Sequence, residues 1–236
     1  MSTRYNPSIV RDGLAFYLDA ANTKSYSGSG TTWTDISAKE NNGTLTNSPT
    51  FSSDNLGNFA FDGSNDFVNA PAVLSAGQQK YTLSAWWNLT NIGSSSGQSQ
   101  VVMEQNSSSV VTHRRSCILL NSNTQKWGFN GQSNDNHDEV PLQIGQWVNG
   151  VITIDTTAGS SGLKLYENGS LYFTGTTGAG INNLNVGDHA FAIGHKVTTG
   201  TEHFQGKISC VSVYNRVLTA LEVRQNFNAL KGRFGL

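Results

Sequence analysis

The sequence predicts an all-β fold, an antiparallel sandwich of two sheets with one short C-terminal helix. Three observations carry this reading. Apolar residues recur with a period of two in many short runs, and turn residues return roughly every 8–12 positions. A helical stripe occurs once, after residue 217. Strands separated only by turns, with no helices between them, pack as a sandwich rather than as a parallel sheet.

The elements follow in order. Leu14, Phe16 and Leu18 alternate with Ala15, Tyr17 and Asp19, the pattern of a half-buried strand. Residues 58–61 and 67–69 flank the turn Asp62-Gly63-Ser64-Asn65, and 81–87 alternate again. Shorter strands are expected at 100–104, 116–120 and 126–130, and 147–155 is the longest candidate. Residues 163–166 and 171–173 border Asn168-Gly169, which suits a type I′ hairpin because that turn needs positive φ twice. Residues 190–194 and 203–214 complete about a dozen strands. In the final segment Thr219 and Glu222 have the spacing of a capping box, with Leu218 and Val223 placed as a hydrophobic staple. Val223, Phe227 and Leu230 form the apolar stripe, and Gly232 is the expected stop.

Composition narrows the function classes. Only 13% of the 236 residues are charged, against about 25% in an average domain. Gly, Ser, Thr and Asn take their place, and the net charge is −1 with no basic run, so a nucleic-acid partner is not expected. Arg114-Arg115 reads as a solvated strand end. No stretch approaches the roughly twenty apolar residues of a membrane span, and Met1–Ser8 lacks the apolar core of a secretory leader. Residues 1–8 read as an arm and 9–236 as one domain. Cys117 and Cys210 lie in apolar runs, where buried free thiols are the default, while a disulfide between them stays open. Sequons at Asn42, Asn88, Asn106 and Asn168 fit the Asn/Ser/Thr-rich composition.

Gly13-Leu14-x-Phe16-Tyr17-Leu18-Asp19, Trp33-x-Asp35-Ile36-Ser37, Asn41-Asn42-Gly43-Thr44-Leu45 and Phe61-Asp62-Gly63-Ser64-Asn65-Asp66-Phe67-Val68 resemble the concanavalin A-like, laminin-G-type jelly-roll family. Residues 81–86, Trp147, Leu165-Tyr166-x-Asn168-Gly169, Ile193-Gly194, Phe204-x-Gly206-x-Ile208 and Tyr214-Asn215-Arg216-x-Leu218 continue the pattern. The resemblance implies a jelly-roll sandwich. The closing Asn226-Phe227-Asn228-Ala229-Leu230 and Gly232-Arg233-Phe234-Gly235 are similar to versions in tailed-bacteriophage structural proteins. That similarity implies a virion-surface module that contacts other virion proteins through residues 1–8, with a homo-oligomer among the arrangements it allows.

Site chemistry is sparse. The family's β-glucan hydrolases carry a Glu-x-Asp-x-Glu run that sets carboxylates on one face of a strand. No Glu stands two positions before an Asp here, and Glu104 is alone, so no catalytic residues are expected. Gly93-Ser94-Ser95-Ser96-Gly97 has nucleophile-elbow spacing but no helix to follow it. His195 and His203 flank a turn and read as solvated. Pentraxins hold calcium through carboxylates just past the strand ending Ile193-Gly194, but His195-Lys196-Val197 follow here. Calcium candidates are therefore Asp62, Asn65 and Asp66 in one loop and Asp135, Asp138 and Glu139 in another. The simpler readings are an Asx turn and an acidic surface loop.

Sugars stack on exposed aromatic rings beside amides and carboxylates. Tyr26, Trp33 and Trp127, near loops, are the glycan candidates, with core packing as the competing role. The expected function is a non-enzymatic virion-surface module, and the rival is a lectin domain recognising cell-surface polysaccharide.

Overall fold

In the computed structural model the described residues are 8–92, 99–106, 114–131, 136–175 and 186–236. Two antiparallel sheets face each other. The first sheet contains β1 (Leu14–Asp19), β4 (Thr50–Ser52), β5 (Asn58–Asp62), β7 (Lys80–Leu89), β12 (Trp147–Asp155), β13 (Leu163–Glu167), β14 (Ser170–Gly175) and β16 (Gln205–Tyr214). The second contains β2 (Thr32–Trp33), β3 (Gly43–Thr46), β6 (Phe67–Ala70), β8 (Gln100–Gln105), β9 (Ser116–Asn121), β10 (Lys126–Asn130), β11 (Asn136–Pro141) and β15 (Phe191–Ile193). The first runs β14-β13-β12-β7-β16-β5-β4, with β1 also paired to β16. The second runs β11-β10-β9-β8-β15-β6-β3-β2. The helix α1 (Ala220–Leu230) comes last.

Between the sheets lies one large apolar core, built from residues such as Phe16, Phe59, Trp87, Trp127, Ile152 and Phe191. Trp87 and Trp127 meet edge to face at 5.3 Å, directly over Gly150. A Cβ at Gly150 would collide with the Trp87 ring, so glycine there lets the indole lie against β12.

A second apolar layer covers the outer face of the first sheet. Trp86, Val151, Tyr166, Cys210 and Tyr214 point away from the core and pack beneath α1 and the 3₁₀ turn Lys231–Phe234. The Trp86 ring stacks on Phe227 at 5.6 Å and on Phe234 at 4.1 Å. This layer corrects the half-buried reading of the first strand, because all six residues of β1 are buried. The helix begins as expected, with the Thr219 side chain accepting from the Glu222 amide and Glu222 accepting from the Thr219 amide. Gly232 does not stop it. The chain tightens into the 3₁₀ turn, and the left-handed cap falls at Gly235, φ 74°.

The Asn168-Gly169 hairpin has the expected positive φ values, 51° and 77°. β7 and β16, at ten residues each, are longer than the nine of β12. Cys117 and Cys210 are free and buried, each on the outer face of a different sheet.

Candidate functional site

The outer face of the second sheet carries charge. Cross-strand pairing aligns Thr44, Asn69, Ala192, Glu104, Cys117 and Asn130 in one transverse row. Arg115 joins this row from the start of β9. Its Nε donates to Glu104 Oε2 at 2.6 Å, its Nη2 to Glu202 Oε2 at 2.7 Å, and its Nη1 to Asn130 Oδ1 at 3.1 Å. Lys196 Nζ closes the set on Glu202 Oε1 at 3.1 Å. Glu104 Oε1 accepts the Val197 amide at 2.7 Å, which pins the loop 194–204 across the sheet.

Glu104 and Arg115 have side chains 0% and 3% exposed. Arg115 is therefore not a solvated strand end; it neutralises the buried Glu104 and the partly exposed Glu202. With both oxygens occupied and no exposure, Glu104 offers no carboxylate to a substrate. The Cys117 thiol beside it is pushed well up by burial. His195 and His203 do meet, with ring centroids 5.8 Å apart, but His195 is buried rather than solvated. It stacks on Phe67 at 4.0 Å, and burial together with the nearby His203 pushes its pKa down to about 4.

The glycan candidates named from sequence are core residues. Tyr26 packs against Phe51 and Phe59 and donates its hydroxyl to the Gly30 carbonyl. Trp33 is fully buried against Phe59. Trp127 is buried against Trp87 and donates Nε1–H to Glu167 Oε2 at 3.0 Å. Lying near loops did not expose these rings, because they pack into the core between the sheets, against Phe59 and Trp87.

Of the oxygen-rich loops, the first is an Asx turn. Asp62 Oδ1 accepts the amides of Ser64, Asn65 and Asp66, and Asp66 Oδ2 accepts the Asp62 amide. Those amides hold the Asp62 carboxyl below its usual range, while burial raises that of Asp66. In the second, Asp135 lies outside the described residues. Asp138 and Glu139 belong to β11 rather than to a loop, and Asp138 Oδ2 accepts from Asn121 Nδ2 at 2.6 Å. Among the described residues, no group of three or more His, Cys, Asp or Glu side chains is arranged to hold a metal ion. Gly93–Gly97 also lies outside the described residues.

Tyr172 is 52% exposed and Trp147 is partly exposed, and the periodicity assigned both to strands. Of the five tryptophans, only Trp147 keeps a partly exposed ring. It opens β12 and packs against the outer apolar layer that Phe227, Leu230 and Phe234 also contact. Its Nε1–H is donated to Asn55 Oδ1 at 3.0 Å, and Phe234 packs against it at 4.7 Å. Asn55 sits in the left-handed region, φ 51°, and its Nδ2 donates to the Arg233 carbonyl at 2.9 Å. Arg233 is anchored by Asp19 and Ser209. The platform is thus held by a chain of hydrogen bonds running into the sheet. Pairing aligns Trp147 with Asn88, Lys207, Ala60 and Thr50, all outside the core and none fully buried. The row sets an amide one strand from the ring and an ammonium two strands from it, groups of the kind a sugar-stacking surface uses.

A family model described as the concanavalin A-like lectin/glucanases superfamily matches residues 62–224. The chain belongs to that superfamily. Solved structures share the fold. The Trypanosoma rangeli sialidase in complex with sialic acid aligns at TM-score 0.64 and 14% identity, over 94% of this chain and 33% of that one. This chain thus spans about a third of the sialidase. Domain 4 of AbnA, an extracellular arabinanase from Geobacillus stearothermophilus, in complex with arabinotriose, aligns at TM-score 0.67 and 15% identity, over 90% and 97%. The botulinum neurotoxin type G receptor-binding domain aligns at 0.60 and 16%, over 92% and 51%. No curated protein matches the chain in sequence. Within the superfamily, these likenesses establish the jelly-roll fold.

Proposed function

We propose that this superfamily member is a non-catalytic carbohydrate-binding module whose ligand stacks on Trp147. The observation that carries the proposal is the ring itself. It is the one tryptophan held at the surface, its N–H is already satisfied by Asn55, and it is bordered by polar side chains. A ring so placed offers its face, which suits the C–H face of a pyranose or furanose. Support comes from domain 4 of AbnA, a unit of similar extent solved with arabinotriose. The superfamily and these neighbours support sugar binding rather than the virion-surface setting. The buried pairing of Glu104 and Glu202 with Arg115 fits a site without acid–base chemistry.

The test is a glycan array probed with the wild-type domain and with Trp147→Ala. Binding by the wild type and loss by the variant, with an unchanged circular dichroism spectrum, is the expected result. Equal binding by the two proteins removes Trp147 from the site.

A further inference from the structure

The row across the first sheet holds one cation and no carboxylate. Strands lie about 4.8 Å apart, which puts the Lys207 backbone, two strands over, roughly 10 Å from that of Trp147 along a line crossing Asn88. Two successive residues of a polysaccharide chain bridge such a span. Gly206 fixes the row, because a Cβ there would collide with the Asn88 carbonyl oxygen and part β16 from β7.

Lys207 also differs from the tightly paired cations of the domain. Arg115, Lys196, Arg216 and Arg233 each meet a carboxylate at 3.1 Å or less with modest exposure. Lys207 Nζ lies 3.9 Å from Asp54 Oδ2, with side chains 40% and 69% exposed. An exposed pair at that distance contributes little and leaves the ammonium able to turn toward a ligand.

We infer that the ligand is a carboxylated polysaccharide, laid across the strands with one ring on Trp147 and a carboxylate on Lys207; this rests on the sugar-binding reading and names its ligand class. The parts divide the work. Phe234 fills one side of the Trp147 ring and the indole N–H is engaged, so a sugar stacks on the remaining face. Asn88 lies between to meet hydroxyl groups, and the ammonium makes a charge-assisted hydrogen bond to the carboxylate.

The experiment measures affinity by calorimetry for polygalacturonate, alginate and hyaluronan, each beside its carboxyl-reduced form. Wild type, Lys207→Gln and Trp147→Ala are compared, with thermal midpoints as a control for folding. The wild type should prefer at least one carboxylated polymer over its reduced form by roughly tenfold, and added salt should shrink the difference. Lys207→Gln should bind both forms alike at an unchanged midpoint, and Trp147→Ala should bind neither. Equal affinity of the wild type for every pair, or a preference that survives Lys207→Gln, overturns the carboxylate inference and leaves sugar binding standing. Wild-type binding confined to neutral glycans on the array does the same, whereas silence toward every glycan overturns both.

Discussion

The two outer faces of the sandwich are closed by different physics. On the first sheet, Trp86, Tyr166, Val151 and Tyr214 are sealed by the apolar side of α1 and by Phe234, an ordinary burial of non-polar area. On the second, Glu104, Arg115, Glu202 and Lys196 are sealed by a loop that they themselves tie down. An apolar cover can end partway along a sheet without leaving anything unsatisfied. A buried charge network cannot, because each member removed strands its partner. The sugar surface proposed at Trp147 lies on the helix-covered sheet, at the apolar layer rather than the charged one.

The largest effect that would break this contrast is on the charged side. Glu104→Gln should cost about 3–5 kcal/mol in a urea titration, since Arg115 would keep its charge with its closest partner gone. A cost under 1 kcal/mol would mean that the network does not close the face.

A smaller effect follows from His195. Its folded-state pKa is about 4 against an ordinary 6.5, so the unfolded chain takes up a proton first as pH falls. The associated stability is complete above pH 6.5 and drains between there and pH 4, on the order of 3 kcal/mol in all. Denaturation midpoints of wild type and His195→Gln across that window should converge toward the acid end. Parallel curves would contradict the buried neutral imidazole.

The smallest effect is on the apolar side. Thr219→Ala removes the cap accepted from Glu222 and should cost about 1 kcal/mol, because packing rather than the cap holds α1. Glu222, pulled down to about 2 by Arg216, should keep that pair intact until pH nears that value. A loss above 3 kcal/mol would show the helix to be marginal.

Sequence periodicity made much of this visible. Strands with a strong period of two, the Asn168-Gly169 hairpin and the capped helix are local features, set by neighbouring residues. The strands it passed over, β2, β3, β4 and β11, are short or lie at sheet edges, and β11 carries His137, Asp138 and Glu139, which read as a surface loop. The site was less legible. Partial exposure of Trp147 depends on its packing against the distant Phe234 and Asn55, and burial of Tyr26, Trp33 and Trp127 on packing against Phe59 and Trp87; neither is encoded within a few residues of the ring. The pairing of Arg115 with Glu104 and Glu202 joins positions 11 and 87 residues apart, beyond the reach of any motif.

The most direct measurement is the ¹⁵N spectrum of the five tryptophan indole groups during titration with the glycan selected on the array. The account predicts that the cross-peak missing from Trp147→Phe shifts strongly and that the four buried indoles stay in place. Movement of the Trp33 or Trp127 signals with Trp147 unperturbed would contradict it.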